Sequence, residues 1–152
     1  MTVVIAAIVA VMFLCRPAHA TAQPKGKSAV DKETRSILHR RLEELFSLCD
    51  EGKFSRAAGY LVYRGSNKAR KWHDTYLYAN PDEGRQVDDI CGRIARMLKE
   101  CSGYGIVSFK RAKQSEGEWV VATVTFTTQK GAVSRQFAFL WVKENYSLGD
   151  ID

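Results

Sequence analysis

Apolar positions recur at helical spacing in the first half of this chain and alternate with polar ones in the second. Leu38, Leu42, Leu45, Phe46 and Cys49 fall at i, i+4, i+7, i+8 and i+11, while Arg40, Arg41 and Glu44 point away, which predicts an amphipathic helix over Lys32 to Cys49. Asp50-Glu51-Gly52 breaks it. Phe54, Ala57, Ala58, Leu61 and Val62 repeat the spacing and predict a second, shorter helix. Gly65 to Ala79 has no period; it begins basic and turns aromatic at Trp72, Tyr76 and Tyr78, as a short strand or packed loop would. Asn80-Pro81-Asp82-Glu83 is a helix start, with Asn80 as cap, Pro81 at the first helical position and Glu83 at the capping-box position. Val87, Ile90, Cys91, Ile94, Met97 and Leu98 give that third helix its buried stripe, and Gly103 is expected to end it.

The remainder predicts strands over Tyr104 to Lys113, Glu118 to Thr128, Ala132 to Lys143 and Tyr146 to Ile151, separated by turns at Ser115-Glu116-Gly117, Gln129-Lys130-Gly131 and Asn145. In the third strand Phe137, Phe139 and Trp141 share one face, and Ala138, Leu140 and Val142 the other. Both faces are apolar, so both should be at least partly covered. Short turns between consecutive strands make an antiparallel meander. Helices first and then such a sheet define an α+β fold, with N-terminal helices packed on a curved antiparallel sheet.

The N-terminus changes the picture of where this domain works. Thr2 to Cys15 is apolar apart from Thr2, and Ala18-His19-Ala20 follows. That pattern reads as a signal peptide over residues 1–20, cleaved after Ala20, and places the protein outside the cytoplasm, periplasmic or secreted. The apolar run is shorter than the ~20 residues of a spanning helix. No Lys or Arg precedes it, so the alternative is an uncleaved anchor that holds the domain at the inner membrane. Residues 21–31 read as a flexible tether and 32–152 as a single domain.

The 152-residue chain carries 23 Lys+Arg against 17 Asp+Glu, a net charge of +6. The surplus is compatible with an anionic surface, does not require one, and gives no reason to expect nucleic acid. Cysteines 49, 91 and 101 remain after processing, and an oxidising compartment would pair two of them. Ten helical residues span about 15 Å, beyond the ~4.4–6.8 Å between Cα atoms that a disulfide needs. Cys91 with Cys101 is therefore disfavoured. Cys49–Cys91 is the expected bridge, since both lie on apolar stripes, with Cys49–Cys101 as the alternative and three buried thiols as the remaining possibility.

Two early helices, a long capped third helix and a terminal meander resemble the nuclear transport factor 2-like (cystatin-like) superfamily. The "EGKFSRAAGYL" helix and the closing "FAFLWVKENYSLGDID" carry the likeness, which is to small exported bacterial members of the lumazine-binding-like group. Those members commonly have Gly-Lys-Trp in the last turn, where this chain has Glu144-Asn145-Tyr146. The resemblance implies a cone that can hold an apolar small molecule, with Tyr60, Trp72, Trp119, Phe137 and Trp141 as the candidate lining. It also implies a frequent dimer through the open sheet face. Enzymes of the superfamily place an Asp or His base beside a Tyr in the cone. His73 or Asp74, with Tyr60, Tyr76 or Tyr78, would fill that role here, burial moving the base toward neutrality.

No other chemistry stands out. After residue 20 the histidines are His39 and His73, without metal-ligand spacing, and no metal or cofactor is expected. The chain holds no Gly-rich phosphate loop and no Gly-x-Ser-x-Gly elbow. The expected function is an exported, non-enzymatic domain binding a small apolar ligand or an envelope protein. The alternatives are a proton-transfer enzyme acting on an apolar small molecule and a membrane-anchored scaffold component.

Overall fold

Asp31 opens the first helix: its Oδ1 accepts from the Thr34 backbone N–H at 2.8 Å and its Oδ2 from the Thr34 hydroxyl. The computed structural model describes residues 29–152, so the signal expectation and most of the tether lie outside the described residues. The folded part reaches back to Val30, which is buried in the core. Helix α1 runs Lys32–Asp50, α2 Phe54–Ala57 with a 3-10 turn Ala58–Tyr60, and α3 Pro81–Glu100. Strands β1 (Cys101–Gln114), β2 (Gly117–Thr128), β3 (Gly131–Val142) and β4 (Asn145–Ile151) follow. They form one curved, unclosed antiparallel sheet in the order β1-β2-β3-β4, the α+β fold expected.

Three boundaries differ from expectation. The second helix stops early, because Leu61 and Val62 leave the 3-10 turn extended and bridge to Leu148 and Thr75. Helix α3 passes into β1 at Cys101 with no intervening turn, so Gly103 lies inside a strand. The last hairpin turns at Lys143 and Glu144, both left-handed (φ 49° and 63°), as a tight primed turn requires. At the start of α3, Asn80 caps Asp82 and Glu83 as predicted. The Glu83 carboxylate does not close a capping box; it is held by Arg70 and the Leu77 N–H instead.

The helix stripes and one sheet face form the main core. Leu38, Leu42, Leu45 and Phe46 of α1 pack with Val87, Cys91 and Ile94 of α3 against Val120, Ala122, Val124, Phe126, Phe137 and Phe139. Fully burying such a side chain contributes about 1.5–3 kcal/mol. The Phe46 ring lies 5.3 Å from Phe137 and 6.1 Å from Phe126, so aromatic rings fill the space between helices and sheet where a cone would be hollow. The opposite sheet face is apolar at one end, where Trp119, Leu140, Val142 and Val62 form a second cluster that Trp72 covers. Both faces of β3 are thus covered from Phe137 to Leu140, while residues 131–136 and Trp141 stay exposed. The β3–β4 pairing steps from Ala138↔Asp150 to Phe139↔Leu148, leaving Gly149 as a bulge against the Trp119 ring.

Candidate functional site

The irregular segment between α2 and α3 folds as a flap over that second face. Val62 donates to the Leu148 carbonyl (2.8 Å), Tyr63 to Asp74 (2.8 Å) and Trp72 to Tyr63 (3.1 Å), so the flap is clamped to β4 and to itself by backbone hydrogen bonds. Arg70 is its hub. Nε donates to Asp74 Oδ2 at 3.0 Å, Nη1 to Glu83 Oε1 at 2.7 Å, and Nη2 to Glu83 Oε2 at 3.2 Å and to the Thr75 carbonyl at 2.9 Å. The guanidinium also lies over the Tyr63 ring, 4.3 Å from its centroid. The hydrogen bond from Arg70 holds Glu83 below the ordinary carboxylate range against the opposing effect of burial, and the Leu77 N–H adds to it. Burial alone would raise Asp74; hydrogen bonds from Lys143, Arg70 and the Thr75 N–H outweigh it and hold that carboxyl low as well.

Fixed in this way, the flap projects Trp72 in the left-handed region (φ 68°), a conformation that costs a bulky residue of order 1–3 kcal/mol. Its ring meets Trp119 edge-on with centroids 5.7 Å apart. Beside them lies a cleft of about 230 Å³, lined by Arg64, Trp72, Gln114, Glu116, Trp119, Ala138 and Asp150. Arg64 is anchored by the Gly149 carbonyl (2.8 Å) and Asp150 Oδ1 (2.9 Å), and its guanidinium sits 5.4 Å from the Trp72 centroid. Trp119 is 4% exposed, yet its Nε1 has no hydrogen-bond partner among the described residues, nor does the buried Glu116 Oε2.

The five aromatic candidates do not line one cavity. Trp72 and Trp119 come together at this cleft. Phe137 is on the opposite face, inside the main core. Tyr60 is half-buried beside α1, its hydroxyl donating to Glu44 (2.9 Å) and its ring under the Arg41 guanidinium (3.7 Å). Trp141 is 53% exposed and packs edge-on with its cross-strand neighbour Tyr146. Of the two candidate bases, His73 is exposed; Asp74 is ion-paired, and its carboxyl is lowered, against the expected shift toward neutrality. Tyr76 donates to Gln86 and Tyr78 to Asp88. Sequence reasoning missed Arg64, Gln114, Glu116 and Asp150, which come from three separate segments, the flap, the β1–β2 hairpin and β4; no local spacing marks them.

Cys49 and Cys91 lie side by side in the core as free thiols. Hydrogen bonding with Cys91, and then burial, push the Cys49 thiol up. Cys101 is half-buried and donates to the Leu98 carbonyl (3.3 Å). Among the described residues no cluster of His, Cys, Asp and Glu has the makings of a metal site, and no helix is long and apolar enough to cross a membrane. Neither a protein-family model nor a curated protein matches the chain.

Proposed function

We propose that this chain is an exported, non-enzymatic binding domain of the cell envelope, with its ligand in the Trp72–Trp119 cleft and not in the interior of the fold. The observation that carries this reading is the unpaired Trp119 indole N–H, buried on a residue that lines the cleft, with the unpaired Glu116 oxygen on its rim. A buried polar atom without a partner costs about 1–3 kcal/mol, and folded proteins keep few of them. A ligand that accepts from the indole and donates to the carboxylate removes both penalties. The strained Trp72 supports the same place, since strain concentrates at ligand clamps.

The charged lining and small volume turn the expected apolar ligand into a polar one. Drug-sized sites run to about 300–1,000 Å³; this cleft suits a single amino-acid side chain of a protein partner, or a molecule of that size, with a donor next to an acceptor. Asp74, already paired with Arg70 and Lys143, favours binding over proton transfer. The superfamily that fits this reading is the nuclear transport factor 2-like cone, supported by the helix order and the unclosed sheet. Export rests on residues 1–20.

The test is native mass spectrometry of the protein taken from the cell envelope, beside Trp119→Phe, which removes the N–H and keeps a ring. A small adduct present on the wild type and lost in the variant is the expected result. Equal adducts on both, or none on either, would count against the cleft.

A further inference from the structure

We infer that the face formed by α1 and the free edge of β1 docks on an anionic lipid surface. Lys32, His39, Arg40 and Glu43 recur at i, i+7, i+8 and i+11 on the exposed side of α1, and Arg35 lies beside them. These residues and Phe109 of β1 line one broad, shallow groove of about 500 Å³. The groove presents three permanent cations against a single carboxylate, Glu43, which is within 3.3 Å of His39. Among the described residues no carboxylate lies within ion-pair distance of Lys32, Arg35 or Arg40; Arg35 Nε bonds the neutral Val30 carbonyl oxygen at 2.7 Å, so its charge stays available.

The charge has an apolar companion. β1 is one of the two edge strands of the sheet, and Val107, two residues from Phe109 at a bulge in the β1–β2 ladder, is 62% exposed. Clustered cations beside the partly exposed Phe109, with Val107 exposed on the same strand, suit a headgroup layer, where the charges meet lipid phosphates. The direction of the chain agrees. Val30 is buried two residues before Lys32, and in the sequence the apolar run of residues 2–15 precedes α1. A retained anchor would deliver this face to the bilayer, and a cleaved chain would use it as a peripheral contact.

The test is flotation of the full chain with phosphatidylcholine vesicles, with and without phosphatidylglycerol. The expected result is binding that needs the anionic lipid and weakens when salt is raised to about 0.5 M. Each basic residue near such a surface contributes about five-fold in partitioning, so Lys32→Glu/Arg40→Glu should lose at least roughly 25-fold. Both residues are exposed and make no side-chain hydrogen bond, and a Glu suits the first turn of a helix. Lys99→Glu/Lys130→Glu makes the same change in net charge elsewhere on the surface and should bind as the wild type does. Equal binding to neutral vesicles, equal loss in both double variants, no binding, or capture of duplex DNA in place of vesicles would each overturn the inference.

Discussion

Arg70 grips Glu83 with both terminal guanidinium nitrogens, at 2.7 and 3.2 Å, and so ties the flap that carries Trp72 to the first turn of α3. Glu83 is 5% exposed, which makes it a buried charge that this one partner neutralises. Removing Arg70 leaves that charge with the Leu77 N–H. Breaking such a pair from one side costs about 3–5 kcal/mol. Arg70→Ala should therefore lose roughly 3 kcal/mol in urea denaturation and loosen the Trp72 contact, seen as a change in near-ultraviolet circular dichroism. Glu83→Gln keeps one acceptor oxygen and removes the buried charge, so it should cost less than Arg70→Ala.

The two carboxylates that Arg70 binds give the domain an acid limit. Asp74 and Glu83 are both held below their ordinary values of 3.8 and 4.5, so the unfolded chain takes up protons before the folded one does. Their contribution is complete above those ordinary values and is lost as pH falls through the lowered folded-state values. The urea midpoint should stay level from pH 7 down to about 5 and fall below that. Glu83→Gln should start lower at neutral pH and fall less steeply; parallel profiles for variant and wild type would show that Glu83 does not take part.

Gly149 fixes how deeply Trp119 can seat. A Cβ at this position would come within 2.5 Å of the buried Trp119 ring, closer than real contacts allow, so the ring must shift. Gly149→Ala should destabilise by about 1–3 kcal/mol, the usual cost of forcing extra volume into a packed site. It should also shift the tryptophan fluorescence. Gly59→Ala is the comparison: nothing lies within 4 Å of its Cβ and its φ is ordinary, so it should be neutral or up to about 1 kcal/mol stabilising.

Local signals account for what could be read from the sequence. The stripe Leu38–Leu42–Leu45–Phe46–Cys49 and the Asn80-Pro81 start placed α1 and the beginning of α3 to within a residue or so, because periodicity and capping act over a few positions. Leu61 and Val62 misled, since adjacent apolar residues suit an extended segment as well as a helix, and pairing with Leu148 decided the matter. The cleft was half legible. Trp72 and Trp119 stood out as large aromatics, but Arg64, Gln114, Glu116 and Asp150 join them only when the meander and the flap close. Trp141 was indistinguishable from Phe139 by alternation alone; what separates them is tertiary packing, which buries Phe139 in the main core and leaves Trp141 exposed against Tyr146.

Cys49 and Cys91 give the last prediction. Both thiols are buried and lie together, joining α1 to α3, while Cys101 is partly open. The thiolate is the reactive form, and pushing the Cys49 thiol up removes it. In the reduced, native protein Ellman's reagent should modify Cys101 first and reach Cys49 and Cys91 only on unfolding. In an oxidising compartment, exchange with a disulfide donor should join Cys49 to Cys91 with loss of two hydrogens, the donor being reduced to its dithiol. The bond would add about 4 kcal/mol by restricting the unfolded chain, less the strain of drawing the sulfurs together. Non-reducing peptide mapping of protein from the cell envelope decides it. A Cys49–Cys91 peptide agrees with export and with this packing, whereas a Cys49–Cys101 peptide or free thiols at all three positions would remove the bridge between the helices.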